Sequence, residues 1–289
     1  MGKANRRKKV TPSQTKRPPI PFVNRPFEGL QQEAHLVAMR EIIPCATLNA
    51  RTTPEFGDAE FAFATLLPDG VGAMVREDGQ ILVGLQTRTH SGDLSHDLAG
   101  ALLSAVAAKA AGQTGTVSFD VRDPAPRLQE VIVNDDAAME LAEDFGFWFD
   151  ANELDDADRQ QALAQNREDM VPTSEVPGAP GMYWCSMNNN FVRYVTTVDE
   201  DNLFTALARL QAAGTATLGP DSQFVGAFRA CGIAIPVFQV DRDLTPDELS
   251  VSAQELLAAL EEALQVETAL SEDEKRARAG LISRQVTIR

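Results

Sequence analysis

The densest run of groups able to do chemistry is Arg-Thr-His-Ser-Gly-Asp-Leu-Ser-His-Asp, residues 88–97, which gathers Arg88, His90, Ser91, Asp93, His96 and Asp97. At the entrance to a helix, where the first backbone N–H groups lack intrahelical partners, such a set could hold a phosphate or a carboxylate. Two histidines beside two aspartates could also form an acid–base pair or hold a metal ion. The competing reading is structural: Asp93 is an ordinary N-cap, and Asp97 suits the positive end of a helix. A capping aspartate would itself compete with a bound anion. The residue order favours capping, with Arg88, His90, Ser91 and His96 as the candidates if an anion or another small ligand binds. No metal ligand set is assigned.

Other signatures of catalysis are missing. The chain has no Walker loop, no glycine-rich dinucleotide fingerprint, no GxSxG elbow and no HExxH. The third histidine, His35, falls on a helix surface. Cys45, Cys185 and Cys231 lie far apart, which gives neither a disulfide framework nor a zinc knuckle and fits a reducing cytoplasm. Cys185 and Cys231 sit in apolar strand and helix patterns that read as inert buried thiols. The acids Asp150, Glu153, Asp155, Asp156 and Asp158 lack the spacing of a calcium loop and read as a solvated helix start. These absences favour a non-catalytic binding or adaptor protein without a cofactor. The alternative is a small-ligand protein or enzyme built on the junction at His90 and His96.

Charge is strongly partitioned. Residues 1–25 carry Lys3, Arg6, Arg7, Lys8, Lys9, Lys16, Arg17 and Arg25 and no acid, while all 42 acidic side chains follow. The last fifteen residues are basic again, with Lys275, Arg276, Arg278, Arg284 and Arg289 and no acid. Because an acidic body repels nucleic acid, contact with a polyanion such as RNA or the ribosome is confined to the two basic ends, with the N-terminal arm as the candidate. The alternatives are a solvated tail, an arm lying on the acidic surface, or a protein partner. The apolar runs fall far short of the ~20 residues of a membrane helix, and no membrane association is expected.

The elements around the junction follow from periodicity. Val71 to Gly112 reads as two short apolar runs across an Asp78-Gly79 turn, then a helix whose Leu94, Leu98, Ala101, Leu102, Ala105 and Val106 form one apolar stripe. Before it come a basic, disordered residue 1–16 stretch, a proline-rich strap pinned by Phe22, Val23 and Phe27, a helix over 31–43, and strands at 45–50 and 61–65. After it come strands at 114–121 and 128–133, a helix from Asn134 or Asp135 to Ala142, an acidic helix over 150–166, and a Pro/Gly linker over 172–181. A second hairpin (183–195) and helix (199–213) repeat the outline, followed by a helix over 221–231 and an apolar strand over 233–240. Capping boxes at Thr245–Glu248 and Ser271–Glu274 start two further helices, and the alternating tail 281–289 suits a sheet edge.

The runs PFVNRPFEGL, SGDLSHDLAGALL, SQFVGAFRACGIAIPVFQV and EKRARAGLISRQVTIR resemble an actinobacterial domain family of unknown function, over nearly everything from Pro21 onward. Some of its members bear SecA-like names because they carry an N-terminal SEC-C zinc motif. Here no cysteine precedes Cys45, so the resemblance carries over neither zinc nor that name, and it implies no catalytic residues. The expected fold is α+β: two related hairpin–helix–strand halves sharing a core, with C-terminal helices and a disordered basic N-terminal arm. The expected segments are an arm and strap over 1–25, a first half over 26–127, and an acidic helical insert with linker over 128–181. A second half follows over 182–240, with helices and a basic tail over 241–289.

Overall fold

The computed structural model describes residues 20–287. The arm residues Lys3, Arg6, Arg7, Lys8, Lys9, Lys16 and Arg17 lie outside the described residues. The chain is α+β, with a six-stranded sheet in each half. The first half runs α1 (Glu33–Glu41), β1 (Ala46–Arg51), β2 (Glu60–Ala64), β3 (Ala73–Val75), β4 (Ile81–Gly84), α2 (Leu94–Ala110), β5 (Gly115–Val117), α3 (Leu128–Val131) and β6 (Met139–Leu141). Its strand order is β5-β3-β4-β2-β1-β6, with only β2 and β4 parallel. After α4 (Ala157–Asp169), the second half runs β7 (Thr173–Glu175), β8 (Met182–Ser186), β9 (Asn190–Tyr194), α5 (Glu200–Ala213), β10 (Gln223–Ala230), β11 (Ile233–Val240), α6 (Ser250–Leu264), α7 (Glu272–Ser283) and β12 (Gln285–Thr287). Its order is β12-β10-β11-β9-β8-β7.

Strand alternation decides which face meets which layer. In β2, Phe61 and Phe63 enter the main core, whereas Ala62 and Ala64 pack with Leu67 and Leu82 on the other face beside Phe147 and Trp148. In β11, Ala234, Phe238 and Val240 meet α5, α6 and α7, while Ile233 and Ile235 join the core of the first half. That core also takes Tyr183, Val195 and Ala230 from the second half. The two halves therefore share one apolar core, with α1 contributing Leu36, Val37, Ala38 and Met39 to it.

The hairpin, helix and strand recur in both halves, and α2 and α5 each pack on the sheet that holds their own hairpin. The connections differ, however. β5 returns beside β3, the far strand of its hairpin, whereas β10 lies two places beyond β9 and pairs with β11. This topology gives no support to an internal duplication.

Several local expectations are corrected. Residues 128–131 form the helical turn α3 rather than a strand, because Glu130 accepts from Arg127 N and the Ser95 hydroxyl accepts from Leu128 N, satisfying first-turn donors. Asn134 caps no helix: its side chain accepts from Gln31 N and donates to Gly29 O, and 139–141 becomes an edge strand on β1. Residues 223–230 are strand β10 rather than helix. A bulge between Phe224 and Gly226 turns both Phe224 and Ala227 toward the α5–α7 layer. Cys231 and Gly232, both with positive φ (46° and 80°), then close a tight hairpin onto β11. Part of the Pro/Gly stretch joins the second sheet as β7. Thr245 bonds Glu248 as expected, but as a turn ahead of α6. The tail strand begins only at Gln285, where it lies parallel to β10 on the sheet edge.

Candidate functional site

The 88–97 segment descends from β4 and is fastened before the helix starts. Gln86 donates to Met39 O of α1 at 3.0 Å, and Arg88 N donates to Gly70 O at 3.1 Å. The Arg88 side chain is 75% exposed and lies 3.8 Å from Asp69, a contact of little energy in water. His90 is exposed, and its Nδ1 meets only the Ser91 carbonyl oxygen, at 3.2 Å.

From Ser91 inward the groups close on one another. Asp93 is the N-cap of α2 and accepts from Ser95 N at 3.0 Å; its second oxygen lies 2.7 Å from Arg127 Nε. Asp97, one turn on, accepts from Ser91 N at 2.6 Å and from the Ser91 hydroxyl at 2.7 Å. His96 is buried, with Nδ1 at 2.9 Å from Asp97 Oδ1 and Nε2 at 3.0 Å from the Asp123 carbonyl oxygen. Its ring packs on Phe119, which lies against α2 at Gly100, where a Cβ would sit 2.3 Å from the Phe119 ring. The Ser95 hydroxyl donates to Gln129, and Gln129 and Arg127 donate to Pro26 O. Capping thus accounts for Asp93, Asp97 ties down the preceding loop at Ser91, and His96 is locked into the same network.

The strap is the second half of the site. Phe27 is fully buried, but Phe22 is 75% exposed, so Phe27 is the aromatic anchor and Phe22 is not. Between them the chain threads a slot. Val23 N donates to Gly92 O, and Gly92 allows this approach because a Cβ there would stand 2.7 Å from Ile20 O. On the other side Gly232 faces Asn24 O and Arg25 in the same way. Arg25 pairs bidentately with Glu33 of α1, at 2.6 and 2.9 Å, and donates to Thr197 O of the second half.

Below the strap a cavity of about 670 Å³ opens between the halves, lined by Phe22, Asn24, Glu41, His90, Arg229 and Cys231 among others. A neighbouring cavity of about 460 Å³ shares Arg40 and Glu41 with it and includes Arg88 and Trp148. Of the four ligand candidates, His90 and Ser91 line the first cavity, Arg88 lines the second, and His96 lines neither. Arg229 is held by both oxygens of Glu200, and Arg40 pairs with Glu41 and donates to Leu85 O.

Cys231 was expected on a buried helix and instead lines the cleft from a strand turn. Its Sγ lies 3.6 Å from Glu41 Oε1, and burial together with that carboxylate pushes the thiol up to about 12. Burial likewise pushes Cys45 up to about 12 and raises Cys185. These are protonated thiols rather than nucleophiles. Among the acids near 150–158, Asp150 accepts from Asn152 N and Glu153 N in a turn, Glu153 pairs with Arg159, and Asp156 caps α4. Among the described residues, no group of three His, Cys, Asp or Glu side chains could hold a metal ion, and no helix is long and apolar enough to cross a membrane. The signal for the Cys231 wall was present in the sequence as a Cys-Gly pair between two apolar runs.

No curated protein and no solved structure matches the chain. A family model does match, over residues 26–289, from the buried end of the strap through the junction and the Cys231 turn to the last residue. The chain therefore belongs to the family of unknown function DUF5926.

Proposed function

We propose that this chain is a non-catalytic binding protein of the reducing cytoplasm, with two recognition elements: the cleft at His90 and the basic arm that contacts RNA or the ribosome. The observation that carries the reading is the division of the junction into a closed part and an open part. His96, Asp93 and Asp97 are consumed by bonds to one another and to neighbouring chain, and the one thiol lining the cleft keeps its proton. The groups left open, His90 and Arg88, have no buried carboxylate orienting them for proton transfer. What remains is a cavity of ligand size with mixed apolar and polar walls.

The arm is supported by charge segregation. Lys3, Arg6, Arg7, Lys8, Lys9, Lys16 and Arg17 precede the strap, ahead of a body that holds every acid of the chain. Each phosphate neutralised by Lys or Arg releases counterion, so affinity for single-stranded RNA falls with log salt at about −0.7 per contact. Roughly four to seven contacts give a slope of about −3 to −5. The experiment compares the full chain with one lacking residues 1–17, on RNA and on purified ribosomes, across a salt series. Steep, salt-sensitive binding by the full chain alone is expected. Equal binding by both chains, or none by either at low salt, removes the arm from the function.

A further inference from the structure

A third cavity, of about 230 Å³, lies within the first half alone, between α2, the start of β3 and the end of β5. Its walls include Val71, Leu94, Leu98, Ala101, Val117 and Phe119, and of these Val71, Leu94, Val117 and Phe119 are only half-buried. Phe119 is held in place against Gly100 and His96. An apolar cavity of about 150 Å³ accepts benzene, so this one has room for an apolar side chain of leucine or phenylalanine size.

Two opposite charges stand at its rim. Asp69 and Gly70 are consecutive left-handed residues, with φ of 57° and 63°. Their turn lays the Arg88 stem on Gly70, where a Cβ would sit 3.0 Å from Arg88 Cγ, and Arg88 N is bonded to Gly70 O. The stem is thereby ordered, yet the guanidinium is 75% exposed and meets only the Asp69 carboxylate among the described residues, at 3.8 Å and itself 84% exposed. Arg25, Arg76, Arg122 and Arg229 each close the Nε–Nη2 edge of the guanidinium on both oxygens of a carboxylate, whereas that edge of Arg88 makes no hydrogen bond. Asp97 also borders the cavity, but its oxygens are taken by Ser91 and His96.

A cation and a carboxylate side by side, next to an apolar hole of one side chain, match the charges and the body of a single small molecule. A carboxylic acid alone would set its apolar body against Asp69, and an amine alone would do the same at Arg88. We infer that this cavity binds a free amino acid with a branched or aromatic apolar side chain. Its carboxylate lies on the Arg88 fork, its ammonium on Asp69 and its side chain between α2 and β5. Parting Arg88 from Asp69 costs little, because an exposed pair contributes little in water, and the ligand returns a charge-assisted bond to each. The site is separate from the cleft at His90 and rests on neither the cleft nor the arm.

Isothermal titration calorimetry of the full chain with L-leucine and L-phenylalanine tests this. Two leucine analogues each lack one charge: L-leucinamide has no carboxylate, and 4-methylpentanoate has no amine. Saturable one-to-one binding of leucine, phenylalanine or both is expected, with each analogue about ten- to a hundredfold weaker than leucine, the loss for one hydrogen-bonded charge. Arg88→Gln should weaken leucine by the same factor. Asp69→Asn should weaken leucine without weakening 4-methylpentanoate, a split that a structural disturbance would not produce. Both side chains are exposed, and Asn tolerates the left-handed position, so the fold is kept. His90→Ala should bind leucine as the parent does. Binding of neither amino acid, an analogue as tight as leucine, or either rim variant as tight as the parent overturns the proposal. Loss of leucine binding in His90→Ala moves the ligand to the cleft and overturns it as well.

Discussion

Asp97 decides what the two histidines of the junction do. By holding Ser91 through two bonds and His96 through one, it turns the entry of α2 into a closed knot and leaves His90 outside. His96→Ala removes a buried ring that packs on Phe119 and bridges Asp97 to the Asp123 carbonyl, and is expected to cost about 1–3 kcal/mol, whereas His90→Ala should stay within about 0.5 kcal/mol. Asp93→Ala loses a cap and strands Arg127, for about 2 kcal/mol. Urea denaturation of the three variants checks the order. The sequence reveals Asp93 as the cap because its position before an apolar period is local information. It does not separate His96 from His90, since the acceptor of His96 Nε2 is the Asp123 carbonyl, brought in by the tertiary fold. The thiols give a pH dependence with a definite sign. Cys45 and Cys231, raised from the ordinary 9.0 to about 12, hold their protons more tightly folded than unfolded. Their contribution is therefore complete below pH 9 and is lost as pH rises toward 12. Replacing both by Ala should flatten the fall in urea midpoint above pH 9, and an unchanged slope would contradict the assignment.

The strap is the element on which the cleft depends. It passes between Gly92 of the first half and Gly232 of the second, and Arg25 fastens it to Glu33 and to Thr197 O. Arg25→Ala leaves the carboxylate of Glu33, only 4% exposed, without its partner and should cost about 3 kcal/mol. Gly232→Ala forces a Cβ against strap backbone at positive φ and should cost about 2–4 kcal/mol, with the strap becoming protease-sensitive before the rest of the chain. Limited proteolysis alongside thermal melting separates local release from global loss. Prolines announce an extended strap, and Phe27 was legible as an anchor. Phe22 was read the same way because composition does not say which aromatic turns inward. The helical reading of 221–231 failed for a related reason. Phe224 and Ala227 turn to one side three residues apart, as they would in a helix, because the bulge near Gly226 shifts the strand register, and the Gly232 that follows Cys231 serves as a helix end as readily as a hairpin turn. By contrast, both hairpins and the α2, α5 and α7 helices were legible, since their turn residues, caps and stripes are all contained in short windows.

At the scale of the whole molecule, the two sheets cannot act as independent domains. Tyr183, Val195, Ala230, Ile233 and Ile235 of the second half complete the core of the first, so one cooperative unfolding transition by tryptophan fluorescence and circular dichroism is expected. Non-coincident transitions would show that the shared core contributes little. An α+β fold was legible from the alternation of patterns, but the order of strands was not. Nothing local distinguishes a strand that returns beside its own hairpin, as β5 does, from one that starts a new hairpin, as β10 does. The same shared core places His90, Phe22 and Cys231, distant in sequence, around one cavity. The chain has three histidines, so the histidine ring signals in a ¹H–¹³C spectrum report on the cleft and on the closed knot separately. Titration of the full chain with single-stranded RNA should shift His90 in step with binding and leave His96 and His35 in place. Saturable binding with His90 unmoved, or with His96 shifting in its place, would contradict a recognition site at the cleft.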